Sequence, residues 1–244
     1  MELHTAAQEA SRFASMSKRQ QTILSICTGM GLMDRAFLDM GFKVVPGCEI
    51  DPEMRAMYKE LCGDEPLANS LDELIFMIGD HARFDGVIGG PPCQAHSVLR
   101  AMREPKFPDL TEGVQRLMRK MICDWYVFEN VRPIDLPDSR HTMLNAMNYY
   151  VPHQSRERWF TYRGIVAPPP RFAGDVDSLK AYPVVAGRLY GPKRGAWLQG
   201  YEAAAKLPFP CVQLQKGLAN AVPYPLARAW AHEALALEDA RLIA

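Results

Sequence analysis

Five short apolar runs, alternating with segments of helical periodicity, constrain this chain more than any other feature. Thr22–Cys27 is a buried-type run broken by Thr28-Gly29-Met30-Gly31 and followed by Leu32–Met40, an amphipathic stretch closed by Gly41. Lys43–Cys48 is a second such run. It ends at Glu49-Ile50-Asp51-Pro52, where Pro52 suits the first turn of a helix carrying Met54, Met57, Tyr58 and Leu61. A third short run, Pro66–Ala68, precedes a helix over Ser70–Ile78. The fourth, Phe84–Ile88, is followed after an irregular stretch by a helix over 111–122, and the fifth is Trp125–Phe128. Strands alternating with helices in this way predict an α/β fold: a Rossmann-like, mostly parallel sheet with its functional groups at the carboxyl ends of the strands.

Beyond the fifth run, prolines in 132–139 leave only His141–Asn148 for the next helix. From Gly164 to Gly195 the chain is rich in proline and glycine and reads as a small irregular appendage. Gly195–Lys206 and Pro223–Leu237 read as helices, the latter with Leu226, Ala227, Trp230, Ala231 and Ala234 on one face. Residues 1–20 suggest an N-terminal helix or arm. The division expected is therefore 1–20 arm, 21–163 catalytic and cofactor-binding domain, 164–194 reduced recognition or linker region, and 195–244 helices completing the domain.

With 244 residues and a formal net charge of zero, the chain can bury a full core and is not a polybasic coat protein. Its charge is nonetheless uneven. Residues 97–120 hold six Lys/Arg against three Asp/Glu, and 153–194 hold eight against three, a local excess suited to a polyanion. The six cysteines show no C-x-x-C pair, which argues against a zinc site or a disulfide framework and for a reducing compartment. No leader-like or membrane-spanning stretch is present, so the expectation is a cytoplasmic protein with no metal and no membrane partner.

Two stretches carry chemistry. In Asp85–Ser97, DGVIGGPPCQAHS, a strand ends in Gly89-Gly90, and Pro91-Pro92 stiffen the backbone that presents Cys93. A thiol on a strand-end loop is a candidate nucleophile where neighbours supply activation. The turn Cys27-Thr28-Gly29-Met30-Gly31, followed about twenty residues later by the strand-end acid Glu49, suits an adenosine ribose. The dinucleotide fingerprint fails because Asp34 holds the third glycine position. That disfavours a nicotinamide cofactor and leaves S-adenosylmethionine open.

With these residues assembled, the chain resembles the DNA (cytosine-5) methyltransferases over about residues 22–163 and 195–235. GGPPCQAHS matches the family's catalytic loop, Phe128–Val131 (FENV) its glutamate motif, Gln154–Arg158 (QSRER) its Gln-x-Arg-x-Arg motif, and Leu218–Val222 (LANAV) its C-terminal motif, in the family's order. The resemblance implies a thiolate of Cys93 adding to cytosine C6 and Glu129 binding the N3 and amine edge. It also implies Arg156 at the base carbonyl with Arg158 beside it, and a flipped base enclosed by the basic loop 97–110. It implies S-adenosyl-L-methionine bound by Cys27, Thr28, Gly29, Gly31, Glu49, Ile50, Asn69, Pro91 and Asn220, and substrate contacts from Gln94, Ser97, Arg100, Asn130 and Gln154.

The sequence departs from the family's pattern at Ser25-Ile26-Cys27, where Asp-Leu-Phe is usual, at Asn69, at Ala219, and in the shortened helix after Val131. These departures fall on cofactor contacts rather than on the chemistry. The largest lies between Arg163 and Gly195, where about thirty residues stand in for a target recognition domain. The expected activity is cytosine C5 methylation of DNA in a bacterial or phage-infected cytoplasm, the setting of restriction-modification. Sequence reading is then minimal, supplied by a separate recognition subunit, or directed at single-stranded or very short sites. The alternatives are an RNA cytosine-5 methyltransferase and a catalytically weak nucleic-acid-binding subunit.

Overall fold

The computed structural model describes residues 19–92, 109–149, 156–171 and 191–243. Six strands, β1 (Thr22–Ile26), β2 (Lys43–Cys48), β3 (Arg83–Gly89), β4 (Ile122–Asn130), β5 (Arg140–Asn145) and β6 (Glu157–Arg163), form one sheet in the order β2-β1-β3-β4-β6-β5. β1 to β4 pair in parallel, and β6 enters antiparallel between β4 and β5. Helices α1 (Leu32–Asp39), α2 (Pro52–Cys62), α3 (Leu71–Met77), α4 (Thr111–Lys120), α5 (Pro192–Leu198), α6 (Cys211–Asn220) and α7 (Tyr224–Ile243) surround it. None of the described helices is long and apolar enough to cross a membrane.

The two-residue strand period divides the core. Ile23, Ile88, Trp125, Val127, Phe160 and Tyr162 face one side. They bury Met33, Ala36 and Phe37 of α1 and Leu226, Ala227 and Trp230 of α7. Leu24, Ile26, Val87, Tyr126 and Phe128 face the other side, against Leu71 and Leu74 of α3 and Val114 and Leu117 of α4. Trp125 lies across β3: a Cβ added at Gly86 would stand 2.2 Å from its ring, so only glycine fits there. A third cluster joins Met30 and Leu32 to Met54 and Met57 of α2 and to Ala196, Leu214 and Leu218. Helices distant in sequence are thereby packed onto the glycine turn.

Local signals set the element ends. Asp51 caps α2 by accepting from the Glu53 N–H at 3.0 Å, Pro52 starts it, and Gly63 ends it in the left-handed region. Ser70 caps α3 in the same way through the Glu73 N–H.

Several expectations are corrected. The helix expected over 141–148 is strand β5 followed by a single 3-10 turn, Ala146–Asn148. β6 offers this segment a full antiparallel edge, and the two pair from Arg140 to Asn145. The run at 66–68 is not a strand proper. It makes one bridge, Ala68 to Cys48, with Leu67 and Ala68 N–H groups donating to Pro46 and Gly47, because Pro66 has no N–H to extend the ladder. The helix expected over 195–206 breaks at Gly200 (φ 71°) and resumes only as a 3-10 turn, Glu202–Lys206. Helix α6 is an element the sequence reading lacks. Most of the expected N-terminal arm and most of the 164–194 region lie outside the described residues.

Candidate active site

The carboxyl ends of β1 and β2 form one half of the site. The Thr28 N–H donates to the Cys48 carbonyl (3.1 Å), so the chain leaves β1 by curling over the end of β2. Cys27, Gly29 and Gly31 all take positive φ (51°, 57° and 93°). At Gly31 a Cβ would stand 2.8 Å from both Cys62 Sγ and Tyr58 Cδ2, so the turn requires glycine for conformation and for space. Glu49 is buried, and its two carboxylate oxygens accept from the N–H groups of Gly29 (2.8 Å) and Asp51 (2.9 Å). Burial raises its pKa above the ordinary value, and these two backbone donors oppose the rise.

Beneath the turn, Asp34 is fully enclosed and accepts from Ser25 Oγ and Tyr58 Oη, each at 2.8 Å. Desolvation lifts its pKa to about 7. Asp34 therefore has a structural use in the position where a dinucleotide fingerprint would hold glycine. Cys27 has its thiol pKa pushed up, first by its hydrogen bond with Cys48 and then by burial, so it is a packed thiol and not a nucleophile.

These residues fit an S-adenosylmethionine adenosyl group. Thr28 Oγ1 is buried without a hydrogen-bond partner among the described residues, and Ile50 stands 54% exposed one residue beyond Glu49. Asn69 is exposed nearby, its backbone N–H and side-chain amide both turned to Glu73 Oε2 (2.8 and 3.2 Å).

The ends of β3 and β4 form the other half. Glu129 is only 8% exposed, and its Oε2 would stand 3.5 Å from a Cβ placed on Gly90, so the acid faces the loop that leads to the candidate nucleophile. Arg158 approaches from β6 with Nε 2.8 Å from Glu129 Oε1. The approach is a charge contact rather than an aligned hydrogen bond, since Oε1 has no hydrogen-bond donor directed at it among the described residues. Burial raises the Glu129 pKa, against the opposing charges of Arg158 and then Arg156. Arg132, the partner that proximity in sequence would suggest for Glu129, instead pairs with Asp109 at 2.9 Å.

Asn130 secures the loop itself. Its Nδ2 donates to the Pro91 carbonyl (3.3 Å) while its Oδ1 accepts from the Val131 N–H (2.7 Å), so it holds the loop backbone where a substrate contact was expected. Arg156 is buried and donates from Nη1 to the Ala219 carbonyl (3.0 Å) and from Nη2 to the Ala221 carbonyl (3.2 Å). It thus closes the last turn of α6. Of the two arginines, Arg158 has its guanidinium 2.8 Å from the acid, and the charge of Arg156 also acts on it. Asn220 is exposed at the end of α6.

Gln199 was not legible as a site residue. Buried between helices, its Nε2 donates to the Leu218 carbonyl and to Ala221 O (3.2 Å), so the LANAV segment is gripped from two sides. No pattern in the sequence around Gln199 signals this use. Cys93, Gln94, Ser97, Arg100 and Gln154 lie outside the described residues, and Pro91 is buried at the edge of them. Among the described residues no group of His, Cys, Asp and Glu is arranged to hold a metal ion.

Residues 21–165, more than half of the chain, match the family model of the C-5 cytosine-specific DNA methylases. The chain belongs to that family, whose cofactor is S-adenosylmethionine. Among curated proteins it is similar to the type II methyltransferase M.FnuDI of Fusobacterium nucleatum, 26% identical over 161 residues. The match takes in 57% of this chain but only 45% of that relative, so the chain spans less than half its length.

Among solved structures the fold is similar to that of a DNA modification methyltransferase encoded within an E. coli prophage. The TM-score is 0.65 at 13% identity, over 90% of this chain and all of the other. It is also similar to the Entamoeba histolytica methyltransferase EhMeth (TM-score 0.60, 11% identity, 89% of this chain and 98% of the other). The S. pombe Dnmt2 methyltransferase gives a TM-score of 0.58 at 10% identity, over 91% and 99% of the two chains. The architecture is thus the Rossmann-like one of these methyltransferases.

Proposed function

We propose that the chain transfers a methyl group from S-adenosylmethionine to C5 of cytosine in DNA, through a covalent bond between Cys93 and C6 of a base turned out of the helix. The observation that carries this reading is Glu129, buried at the carboxyl end of β4 and facing Gly90, three residues before Cys93, with Arg158 of β6 against it. When bound, the cofactor supplies an electrophilic methyl group.

The chain's own residues do the rest. The Cys93 thiolate forms a bond to C6, and the displaced electron pair moves onto C5 and the N3–O2 system. Glu129, whose burial favours its protonated form, donates to N3 and neutralises the charge that develops there. Arg158, positively charged throughout, keeps the acid oriented through its 2.8 Å contact, and in this reading its guanidinium also meets the base carbonyl oxygen. Asn130 fixes the loop backbone at Pro91, two residues before Cys93 in the sequence. After the methyl group has passed to C5, a water molecule acting as base takes the C5 proton. The C5–C6 double bond re-forms as the C6–S bond breaks and releases the Cys93 thiolate, and the N3 proton returns to Glu129.

A second reading is favoured by one observation: β6 ends at Arg163 and α5 begins at Pro192, an interval too short for an independent recognition core. Under that reading the substrate is an already unstacked cytosine in RNA or single-stranded DNA. The test is covalent trapping with oligonucleotides that contain 5-fluorocytosine, offered as duplex DNA, single-stranded DNA and RNA with cofactor present. A cofactor-dependent adduct at Cys93 with duplex DNA supports the first reading, and an adduct with RNA or single strands alone supports the second. Absence of any adduct overturns both and leaves a binding subunit without catalysis.

A further inference from the structure

Helix α6 carries the LANAV motif at its carboxyl end, but its middle makes a separate polar contact with the other half of the site. Lys216 Nζ lies 2.7 Å from Asp51 Oδ2 and 2.9 Å from Glu53 Oε2, and Gln213 Nε2 donates to Glu53 Oε1 at 3.1 Å. Asp51 is buried and is also the residue whose N–H donates to Glu49 Oε1. An unbroken series of contacts therefore runs from the lysine through the Asp51 side chain and backbone to the Glu49 carboxylate, and from there to the Gly29 N–H.

The electrostatics give this series a purpose. Glu49, Asp51 and Glu53 place three carboxylates within five residues at the end of β2, and the Asp51 charge acts to raise the Glu49 pKa. Lys216 is the cation in contact with two of them. Asp51 Oδ1 also accepts from the Glu53 N–H at 3.0 Å. Lys216 adds a positive charge against the repulsion of the neighbouring carboxylates, and without it the bond from the Asp51 N–H to Glu49 would loosen. Apolar contacts already fix α6 in place, through Leu214 and Leu218 against Met30 and Met57. The lysine is thus not needed to dock the helix. It sits where it governs the direction of an acid.

We propose that Lys216 is a positioning residue for the cofactor site, holding Asp51 so that Glu49 is presented to the ribose hydroxyls of S-adenosylmethionine. The proposal rests on the cofactor reading above for its ligand, but its geometry is testable without one.

The experiment compares full-length wild type, Lys216→Met and Lys216→Arg by residue-resolved amide hydrogen exchange in the absence of ligand, and by calorimetric titration with S-adenosylmethionine. In Lys216→Met, exchange at Gly29 and Asp51 rises while β3 and β4 stay protected, and cofactor affinity falls about tenfold, the scale of one hydrogen bond to a charged group. Lys216→Arg restores both. Unchanged exchange at Gly29 and Asp51, a uniform rise across the sheet, or failure of arginine to rescue would overturn the proposal. If exchange responds as described while wild type binds no S-adenosylmethionine, the positioning role stands and the cofactor reading falls.

Discussion

Arg158 and Glu129 come together from antiparallel neighbours, β6 and β4, with Nε 2.8 Å from Oε1, in a place where the carboxyl group has almost no contact with water. The pair holds a titratable acid next to a fixed cation, facing the Gly90 end of the segment that leads to Cys93.

Replacing Glu129 by Gln keeps the shape and removes the acid's proton. Methyl transfer and the rate of 5-fluorocytosine adduct formation should each fall by about 10²–10³, the usual loss for a donor at a developing charge. Arg158→Lys should weaken both by a smaller factor, because an ammonium cannot keep the planar approach of the guanidinium. Single-turnover kinetics on the two variants checks the order.

Asn130 ties the end of β4 to the Pro91 carbonyl at 3.3 Å. Asn130→Ala leaves that carbonyl without its donor and should cost about 1 kcal/mol of stability, while slowing adduct formation by a larger factor than that alone explains. Urea titration and trapping rates on the same preparation separate the two effects.

Asp34 has its pKa raised from 3.8 to about 7, chiefly by burial, with the Ser25 and Tyr58 hydroxyls opposing the rise. A raised acid pKa means the protonated form suits the fold. Its contribution is therefore complete below about pH 4 and is lost as pH rises through about 7. Wild type should accordingly lose stability over that window relative to Asp34→Asn, which has no proton to lose. Urea midpoints measured from pH 5 to 8 test this; parallel curves for the two proteins would show that Asp34 does not titrate there.

At Gly31 the left-handed φ of 93° and the 2.8 Å approach to Tyr58 and Cys62 leave no room for a methyl group. Gly31→Ala should destabilise the fold by about 1–3 kcal/mol. It should also weaken S-adenosylmethionine binding, readable by thermal unfolding with and without the cofactor.

The first four parallel strands were legible because each signal is local: a buried apolar run, a turn residue, then an amphipathic helix. β5 was not. Met143, Leu144, Ala146 and Met147 carry no alternation of their own, and the segment is extended only because β6 pairs with it across six residues. The same holds in the site. Glu49 and the glycine turn were found from position at strand ends, and Glu129, Arg156 and Arg158 from the family motifs. Which of the two meets the acid depends on where the last carbonyls of α6 fall, a long-range fact that local spacing does not encode. Gln199 and Lys216 act through the same helix and were missed for the same reason.

The insertion of β6 between β4 and β5 also sets an order of assembly. As the chain emerges from a ribosome, β1 to β4 are complete by residue 130, with Glu129 on the outermost strand and its cation still 28 residues from being made. The sheet cannot close its far side until β6 has returned. Phe160 and Tyr162 are then sealed by Trp230, whose ring lies 5.4 and 5.1 Å from theirs. The Glu129–Arg158 half of the candidate site is therefore packed in place only after residue 230, in α7, has been made.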